Sequence, residues 1–399
     1  MKPNFRFLAI VVLLGGLQTI VAADAALSKL ADANNAFAFK LLKQLAAENP
    51  SGNLFVSPYS AATALQLAAN GAAGQTKTEL QSVLETSGIS AAEFSAASQA
   101  AAKLLNAKTN VILTVANALW YRQGAAVKPD FLALSQKSFT IQALEFGNVP
   151  AAEATINQWA SDQTHGRITG IANGMIDPTY TDLVLANAIY FQGKWLDPFD
   201  KKLTKERPFH PAVGMAKNLS MMEMSKMFAY RKGSGYQAVW LPYMGYDLAM
   251  YVFLPDPGSS PAKLLSEMNG DKWRRIAFPE FSACDGMVVL PKFKLENTLE
   301  LNPTLKALGM KTALDQKKAD FSVMFNDFHF ISEVRQKAFV EVGEEGTEAA
   351  AVTGMFSASA GIEMNPPKPF EMIVDRPFLF GIVDDRSGMI LFLGVVNDL

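Results

Sequence analysis

The residues that could carry out catalysis are few and widely separated in this chain. It has three histidines, His165, His210 and His329, and no two of them have the spacing of a metal-ligand pair. The sequence also lacks the H-E-x-x-H, C-x-x-C and G-x-S-x-G motifs and the phosphate-binding Walker loop. A serine–histidine–aspartate triad is defined by three-dimensional geometry, but no nucleophile elbow indicates one. We therefore expect no enzyme activity, no metal and no cofactor.

The sulfur-containing residues have structural interpretations. Met221, Met222, Met224 and Met227 could suggest a soft-metal site, but their spacing beside aromatic residues is more typical of a strand core. Cys284 is the only cysteine, so the chain has no internal disulfide. We expect Cys284 to be a buried, small hydrophobic residue in a strand, with a reactive thiol as the alternative.

The most informative segment, residues 341–365, combines features of a linker and of a strand. Of the sixteen residues 346–361, twelve are Gly, Ala, Ser or Thr, which offer little apolar area to anchor a core element. Yet no proline occurs from Thr304 to Asn365, in a chain with 20 prolines. A linker has no reason to exclude proline, whereas a central strand loses a ladder hydrogen bond at each one. The composition therefore predicts a weakly anchored loop that is able to become a strand.

The elements that must position this loop begin with helices. Apolar residues at helical spacing predict a first helix that ends before Pro50, and Ser57-Pro58 predicts an N-cap and first turn of the next. Thr76 and Glu79 predict a capping box for a short third helix. Further helices are predicted at about 91–107 and 151–164.

Strands dominate the rest of the chain. Continuous β-favouring runs predict buried strands, and the last two form a hairpin over residues 384–388. Helices gathered early and strands gathered late predict an α+β fold of one domain. The predicted strands are 111–121, 183–192, 236–241, 247–254, 286–295, 328–342, 371–383 and 389–396.

The N-terminus has the build of a signal peptide. Lys2 and Arg6 flank the start of an apolar run over residues 7–21, and small residues follow it. A membrane anchor is the alternative, but the run is shorter than the ~20 residues needed to span a bilayer. We therefore predict a cleaved signal peptide at 1–23 and one domain at 24–399. The protein would be secreted and extracellular, or periplasmic if the source is bacterial.

Charge and composition argue against several kinds of partner. The chain has 399 residues, a net charge of −2 and only 19% charged residues, and its basic residues are scattered. We see no helix with a basic stripe that would bind a polyanion. The expectation is therefore a monomer with no nucleic-acid partner, no membrane partner and no clear polyanion site.

Four motifs resemble the serpin family. They are NLFVSPYS at 53–60, NAIYFQGKW at 187–195, FVEVGEEGTEAAA at 339–351 and DRPFLF at 375–380, the last followed by the stretch 388–394. They occur in serpin order and spacing from about residue 27 to the C-terminus. The resemblance implies three β-sheets, eight or nine helices and an exposed reactive loop near the C-terminus, at about 344–367.

The resemblance also implies a suicide mechanism against serine proteases, and sometimes cysteine proteases. The target protease attacks the loop as a substrate and forms a covalent acyl-enzyme. The cut loop then inserts into the central sheet as a new strand, and strand addition of this kind is driven by main-chain hydrogen bonds. Insertion carries the protease away before the acyl bond is hydrolysed. This mechanism explains why a weakly anchored loop would need to avoid proline.

The hinge at the start of the loop fits an inhibitory serpin. Non-inhibitory carriers and chaperones of the family tend to have bulky, charged or proline residues there, and they remain the alternative. Strand alternation places every second residue from Thr347 on one face, and these are small. Gly346 would supply the flexible pivot. The predicted hinge residues are Glu344, Glu345, Gly346, Thr347, Glu348, Ala349, Ala350, Ala351, Val352 and Thr353.

Ser57, Ser60 and Asn187 match positions where the family controls opening of the sheet. Trp195 matches the site where insertion begins. One position departs from the family pattern, because Gln336 stands where a histidine is usual. Glutamine donates and accepts hydrogen bonds but does not titrate, so we expect less pH dependence from this region. The predicted sheet-opening residues are Ser57, Ser60, Asn187, Gln336 and Trp195.

The scissile bond is predicted by the usual distance from the hinge. Counting forward from Glu344 places Ala360 before the bond and Gly361 after it, and a small Ala360 suits the shallow pocket of an elastase-like protease. Counting back from the 375–380 motif gives a site nearer Pro366, but the forward count should dominate because it fixes how much strand can insert. Met364-Asn365 and Met355-Phe356 are the fallback bonds. No Lys or Arg occurs between 344 and 367, which disfavours a protease with a deep acidic pocket.

Overall fold

The computed structural model describes residues 6–106, 111–135, 140–277, 281–347 and 369–399. Within them it contains nine α-helices and fifteen strands, which confirms the α+β prediction. The helices are α1 (Arg6–Glu48), α2 (Pro58–Gly71), α3 (Gly74–Val83), α4 (Ala91–Asn106), α5 (Pro129–Ser135), α6 (Val149–Gln163), α7 (Pro261–Glu267), α8 (Gly270–Ala277) and α9 (Asn302–Ala307).

Local sequence explains where α2 begins, but not α3. Ser57 caps α2, since its Oγ accepts a hydrogen bond from the Ser60 N–H and Pro58 occupies the first turn. The capping box predicted for Thr76 and Glu79 is wrong, because α3 already begins at Gly74. Both side chains instead accept backbone hydrogen bonds from the distant segment 311–320. A tertiary contact has taken the place of the local one.

The strands form two hydrogen-bonded networks. In the six-stranded sheet the order is β10-β11-β12-β4-β2-β3, and in the nine-stranded network it is β1-β15-β14-β8-β7-β6-β9-β13, with β5 beside β6. The strands are β1 (Leu54–Val56), β2 (Val111–Arg122), β3 (Thr140–Leu144), β4 (Leu183–Lys194), β5 (Lys205–Phe209), β6 (Lys217–Gly233), β7 (Tyr236–Pro242), β8 (Leu248–Pro255), β9 (Ser282–Pro291), β10 (Phe293–Glu300), β11 (Ile331–Gly343), β12 (Gly346–Thr347), β13 (Phe370–Ile373), β14 (Phe378–Asp384) and β15 (Met389–Val396).

The 17-residue strand β6 explains why three expected sheets appear as two networks. Lys217–Met221 pairs with β5 and Met221–Tyr230 pairs with β9, whereas Ala229–Gly233 pairs with β7. One long strand thus joins two sheets into a continuous ladder.

Two predicted strands are each divided in the structure. The run 286–295 contains the end of β9 and the start of β10, which belong to different networks. The run 371–383 is split into β13 and β14 by residues 374–377. Pro377 lies in that break and has no N–H to donate to a ladder. Apolar periodicity alone does not show where a chain leaves one sheet for another.

Most of the core lies between the sheets and helices α1 and α2. Phe55 of β1 stacks between Phe380 and Phe392, with ring centroids 5.7 and 5.1 Å apart. Met221 and Met222 are fully buried in this core, as expected, but Met227 is 47% exposed, so the strand-core prediction is wrong for Met227. Cys284 of β9 is only half-buried beside the core, not buried as predicted. Among the described residues, no helix is long and apolar enough to cross a membrane.

Candidate functional site

Two of the predicted hinge residues, Gly346 and Thr347, form a short strand inside the six-stranded sheet. β12 lies between β11 and β4 and is antiparallel to both. Thr347 pairs with Val342 on one side and with Gly193 on the other. Gly346 and Thr347 therefore occupy the upper end of a gap between two central strands.

Beyond this upper end, β4 and β11 pair directly with each other. Their parallel ladder, here called the central ladder, runs from Leu183 and Ile331 at the lower end to Tyr190 and Phe339. A strand that continued from Thr347 would have to separate these pairs one after another. The sheet is thus open at one end and closed along the rest.

Thr347 is completely buried in this position. Its hydroxyl lies 2.8 Å from the hydroxyl of Tyr243, whose ring stacks on Trp195 at 4.7 Å. Burial raises the pKa of Tyr243 well above its ordinary range, so this phenol stays neutral. The pocket therefore accepts a small, neutral, hydroxyl-bearing side chain.

Gly346 is required by the close approach of β4. A Cβ placed on residue 346 would lie 2.7 Å from the Lys194 Cα and closer still to the carbonyl oxygen of Gly193. Its φ of +148° is also one that side-chain-bearing residues rarely adopt. The sequence analysis assigned Gly346 a role in flexibility, and the structure adds a steric role.

Backbone hydrogen bonds hold the turn before β12 against the segment after β4. The Trp195 N–H donates to the Glu345 carbonyl at 3.0 Å, and its indole N–H donates to the Gly343 carbonyl at 2.9 Å. The Phe199 N–H donates to the Glu344 carbonyl at 2.8 Å. Trp195 thus contacts the hinge where the predicted insertion starts.

The two glutamates of the hinge are paired with cations. The Glu344 carboxylate, which is 9% exposed, lies 3.0 Å from Lys292 Nζ and accepts from the Thr204 hydroxyl at 3.0 Å. Burial alone would raise the pKa of Glu344, but hydrogen bonds and Lys292 outweigh it and hold the pKa below its ordinary value. Glu345 pairs with the more exposed Lys201. Charge pairing thus anchors the base of the loop.

The remaining predicted sheet-opening residues form one buried polar cluster beneath α2. Gln336 of β11 and Asn187 of β4 are register partners, and the Gln336 amide donates to the Asn187 side-chain oxygen. Gln336 also accepts from the Ser57 N–H at 2.8 Å and donates to the Ser57 carbonyl at 2.9 Å. Asn187 donates in turn to the Ser60 hydroxyl. Trp195 is not part of this cluster and lies with the hinge.

Sequence reasoning missed Asn117, which is a fifth member of this buried polar cluster. Asn117 of β2 is the register partner of Asn187 and accepts a hydrogen bond from it. A signal was present, since the tripeptide Ala-Asn-Ala occurs at both 116–118 and 186–188. Repeated buried asparagines in two apolar strands indicate a side-chain hydrogen bond across the sheet. Tyr243 and Lys292 were also missed, and no local pattern marks them.

Several predicted residues lie outside the described part of the chain. For these the hinge and cleavage assignments stay predictions. Within the described residues, no group of three or more His, Cys, Asp or Glu side chains is placed to hold a metal ion. The residues outside are Glu348, Ala349, Ala350, Ala351, Val352, Thr353, Ala360, Gly361, Met364 and Asn365.

Comparison with known proteins agrees with this geometry. The family model described as serpin (serine protease inhibitor) matches residues 32–399. A leukocyte elastase inhibitor of Bos taurus is 37% identical over 385 residues, covering 92% of this chain and 99% of the relative. An uncharacterized serpin-like protein of Methanosarcina mazei is 33% identical over 375 residues, covering 92% and 87%.

The fold comparison gives the same result. The crystal structure of tengpin, a thermophilic serpin in its native state, superposes with a TM-score of 0.83 at 29% identity and covers 93% of this chain and 94% of tengpin. The fold is that of a native serpin, and the family model covers most of the chain. The chain belongs to the serpin family. The family description and the name of the Bos taurus relative both denote protease inhibitors, and the chain is not an enzyme.

Proposed function

We propose that this serpin inhibits serine proteases as a suicide substrate, by inserting its cleaved loop between β4 and β11. The observation that carries the proposal is the placement of Gly346 and Thr347 between these strands. Gly346 and Thr347 already occupy the first two positions that the inserted loop would take. For the rest of the loop to insert, the β4–β11 pairs of the central ladder would have to separate.

The register of β12 supports continued insertion. Because β12 is antiparallel to both neighbours, each further hinge residue would meet a pair one step lower on β4 and β11. Thr353 would then stand between Gln336 and Asn187, which are themselves register partners. Residues 349, 351 and 353 would share the face of Thr347 and are Ala, Ala and Thr. Small side chains on this face fit beneath the covering layer.

Displacement of the protease accounts for the arrest. About fifteen inserted residues at ~3.4 Å each would carry the bound protease on the order of 50 Å. Deacylation needs the catalytic groups of the protease in alignment, and a misplacement of ~1 Å can cost ~100-fold in rate. The acyl-enzyme would therefore persist as a covalent complex.

An elastase-like protease is the proposed target. Ala360 before the predicted bond suits a shallow specificity pocket, and the Bos taurus relative is named as an inhibitor of leukocyte elastase. Cleavage at Met364-Asn365 or Met355-Phe356 would point to a pocket for longer side chains. Mass spectrometry of the C-terminal peptide released from a trapped complex decides between them, since cleavage after Ala360 gives a peptide that begins at Gly361.

We also propose that the protein is secreted as a monomer, with residues 1–23 removed. The support is the charged start, apolar run and small residues of the N-terminus. Expression of the full chain in its source organism, followed by N-terminal sequencing of the protein outside the cytoplasm, tests this. A mature chain that begins at Asp24 is expected, and a protein that retains Met1 inside the cell would contradict it.

The inhibitory mechanism is tested by gel electrophoresis under denaturing conditions. Incubation with an elastase-like protease is expected to give a covalent complex and a cleaved serpin that unfolds at a much higher temperature than the intact protein. Chymotrypsin-like, trypsin-like, subtilisin-type and cysteine proteases serve as comparisons. If all of them cleave the loop repeatedly without a stable complex, the protein is a non-inhibitory carrier or chaperone.

A further inference from the structure

A second set of contacts joins β4 and β11 at their lower end, far from the hinge. The Asp182 carboxylate lies 2.9 Å from His329 Nδ1 and accepts from the Phe330 N–H at 2.9 Å. The Leu183 N–H donates to the Phe330 carbonyl, and the Ser332 hydroxyl donates to the Leu183 carbonyl at 2.9 Å. We call these five residues, Asp182, Leu183, His329, Phe330 and Ser332, the lower clasp.

His329 is the titratable centre of the lower clasp. Its side chain is 6% exposed and its ring lies 4.2 Å from the ring of Phe325. The other two histidines, His165 and His210, are exposed. His329 is thus the only histidine whose protonation changes a buried contact between the two strands.

Two charged groups face the ring from the elements packed against it. Asp182, from the segment before β4, approaches Nδ1, and Asp327, from the segment before β11, lies 3.1 Å from Nε2. When His329 is neutral and donates from Nδ1 to Asp182, its Nε2 carries a lone pair that faces the Asp327 carboxylate. Two acceptors then face each other and repel. Only the protonated ring is attracted to both carboxylates at once.

We propose that the lower clasp is a pH-sensitive restraint on the separation of β4 and β11, tight when His329 is protonated and loose when it is neutral. Separation of these strands is the step that loop insertion requires, so this consequence rests on the proposed function. The restraint itself is a property of the intact protein and needs no protease.

The direction of the pH effect follows from the surroundings of the ring. Burial alone would lower the pKa of His329, but Asp182 and Asp327 outweigh it and raise the pKa above its ordinary value of 6.5. A histidine with a raised pKa stabilises the closed arrangement fully below pH 6.5. That contribution is lost as the pH rises through the folded-state pKa. The clasp is therefore tighter in mildly acidic solution than in mildly alkaline solution.

Hydrogen exchange on the intact protein tests the proposal without any protease. Exchange of the segments 181–185 and 329–334, corrected for intrinsic rates, is measured at pH 5.5 and 8.5, with the α6 segment as an internal reference. Each unit by which the folded pKa exceeds 6.5 changes the opening equilibrium by about tenfold. The parent is expected to open more readily at pH 8.5, and His329→Gln to lose that difference. A parent without the difference, or a His329→Gln variant that retains it, overturns the proposal.

A second variant keeps the test valid if His329→Gln does not fold. The Asp327 side chain is 60% exposed, so Asp327→Asn leaves the core intact. Loss of one of the two carboxylates should move the opening transition, and the His329 titration followed by NMR, to lower pH. An unchanged midpoint would mean that Asp327 and His329 are not coupled and would reject the clasp. Neither outcome affects the covalent-complex test of the proposed function.

Discussion

The side-chain amides of Gln336 and Asn187 meet across the central ladder of the sheet, at the same level on β11 and β4. Both residues are buried, and their hydrogen bond continues to Ser57 on one side and Asn117 on the other. A strand that separates β4 from β11 has to break this bond. This buried polar cluster therefore opposes separation of β4 and β11 until an inserted residue supplies new hydrogen-bond partners to both side chains.

Replacement of Gln336 by alanine should lower the stability of the intact protein. The Ser57 N–H and the Asn187 side chain would each lose a buried partner, and an unsatisfied buried group costs about 1–3 kcal/mol. Urea unfolding of Gln336→Ala and the parent measures the loss. Equal midpoints would mean that water or a rearranged side chain satisfies both groups.

A histidine at the same position should add a pH dependence that the parent lacks there. The site is fully buried and has no carboxylate among its hydrogen-bond partners, so burial should hold the pKa of the new imidazole below its ordinary value. Gln336→His should then lose stability relative to the parent as the pH falls below about 6.5. Urea midpoints at pH 8 and pH 5.5 give this difference, and a constant difference would contradict it.

Replacement of Thr347 by arginine should convert the inhibitor into a substrate. The pocket of Thr347 is fully buried beside a neutral Tyr243, where an unpaired cation costs several kcal/mol. Cleavage precedes insertion, so the initial cleavage rate should hardly change while the yield of covalent complex falls. Thr347→Ser, which keeps a small hydroxyl, is one control, and Glu348→Ala, at a position that strand alternation would place on the opposite face of the inserted strand, is the other. Equal complex yields for Thr347→Arg and the parent would exclude insertion through this site.

Replacement of Gly346 by alanine should expel β12 from the sheet. The added methyl group would collide with the backbone of Gly193 and Lys194. Hydrogen exchange at Trp195 and Phe199, whose N–H groups donate to the carbonyls of Glu345 and Glu344, should accelerate. Gly343→Ala is a matched control, because Gly343 is the register partner of Gly346 and a methyl group there meets no atom of the described residues within 4 Å. If both variants exchange like the parent, the hinge does not occupy the gap in solution.

The Glu344–Lys292 pair should make the hinge sensitive to acid. The pKa of Glu344 is held below its ordinary value of 4.5, so its stabilising contribution is present above that pH and lost as the pH falls through the folded-state pKa. At pH 7, Glu344→Gln should cost about 1–3 kcal/mol, and the difference should shrink as the pH falls through the folded-state pKa, which lies below 4.5. Urea midpoints measure both values. Glu341→Gln, an exposed neighbour on β11, should change stability by less than ~0.5 kcal/mol.

Local patterns were enough for much of the fold. Apolar β-favouring runs predicted β2, β4 and β15 nearly to the residue, because strands buried on both faces read as continuous hydrophobic stretches. Ser57-Pro58 predicted the start of α2, since capping depends only on neighbouring backbone groups. The absence of proline from 304 to 365 predicted a segment fit for a strand, since proline breaks any ladder it joins.

Other features depended on contacts between distant parts of the chain. Thr76 and Glu79 have the spacing of a capping box, yet their partners come from residues 311–320. A glycine is required at position 346 because the backbone of Gly193 lies too close for a side chain. Gly193 is about 150 residues away along the chain but adjacent in the sheet. The pairing of His329 with Asp182 likewise appears only when β4 and β11 become neighbours. Sequence by itself determined which segments could form strands, because that follows from side-chain type and backbone hydrogen bonding. Which strands are neighbours, and which buried polar groups therefore meet, was decided by the tertiary fold.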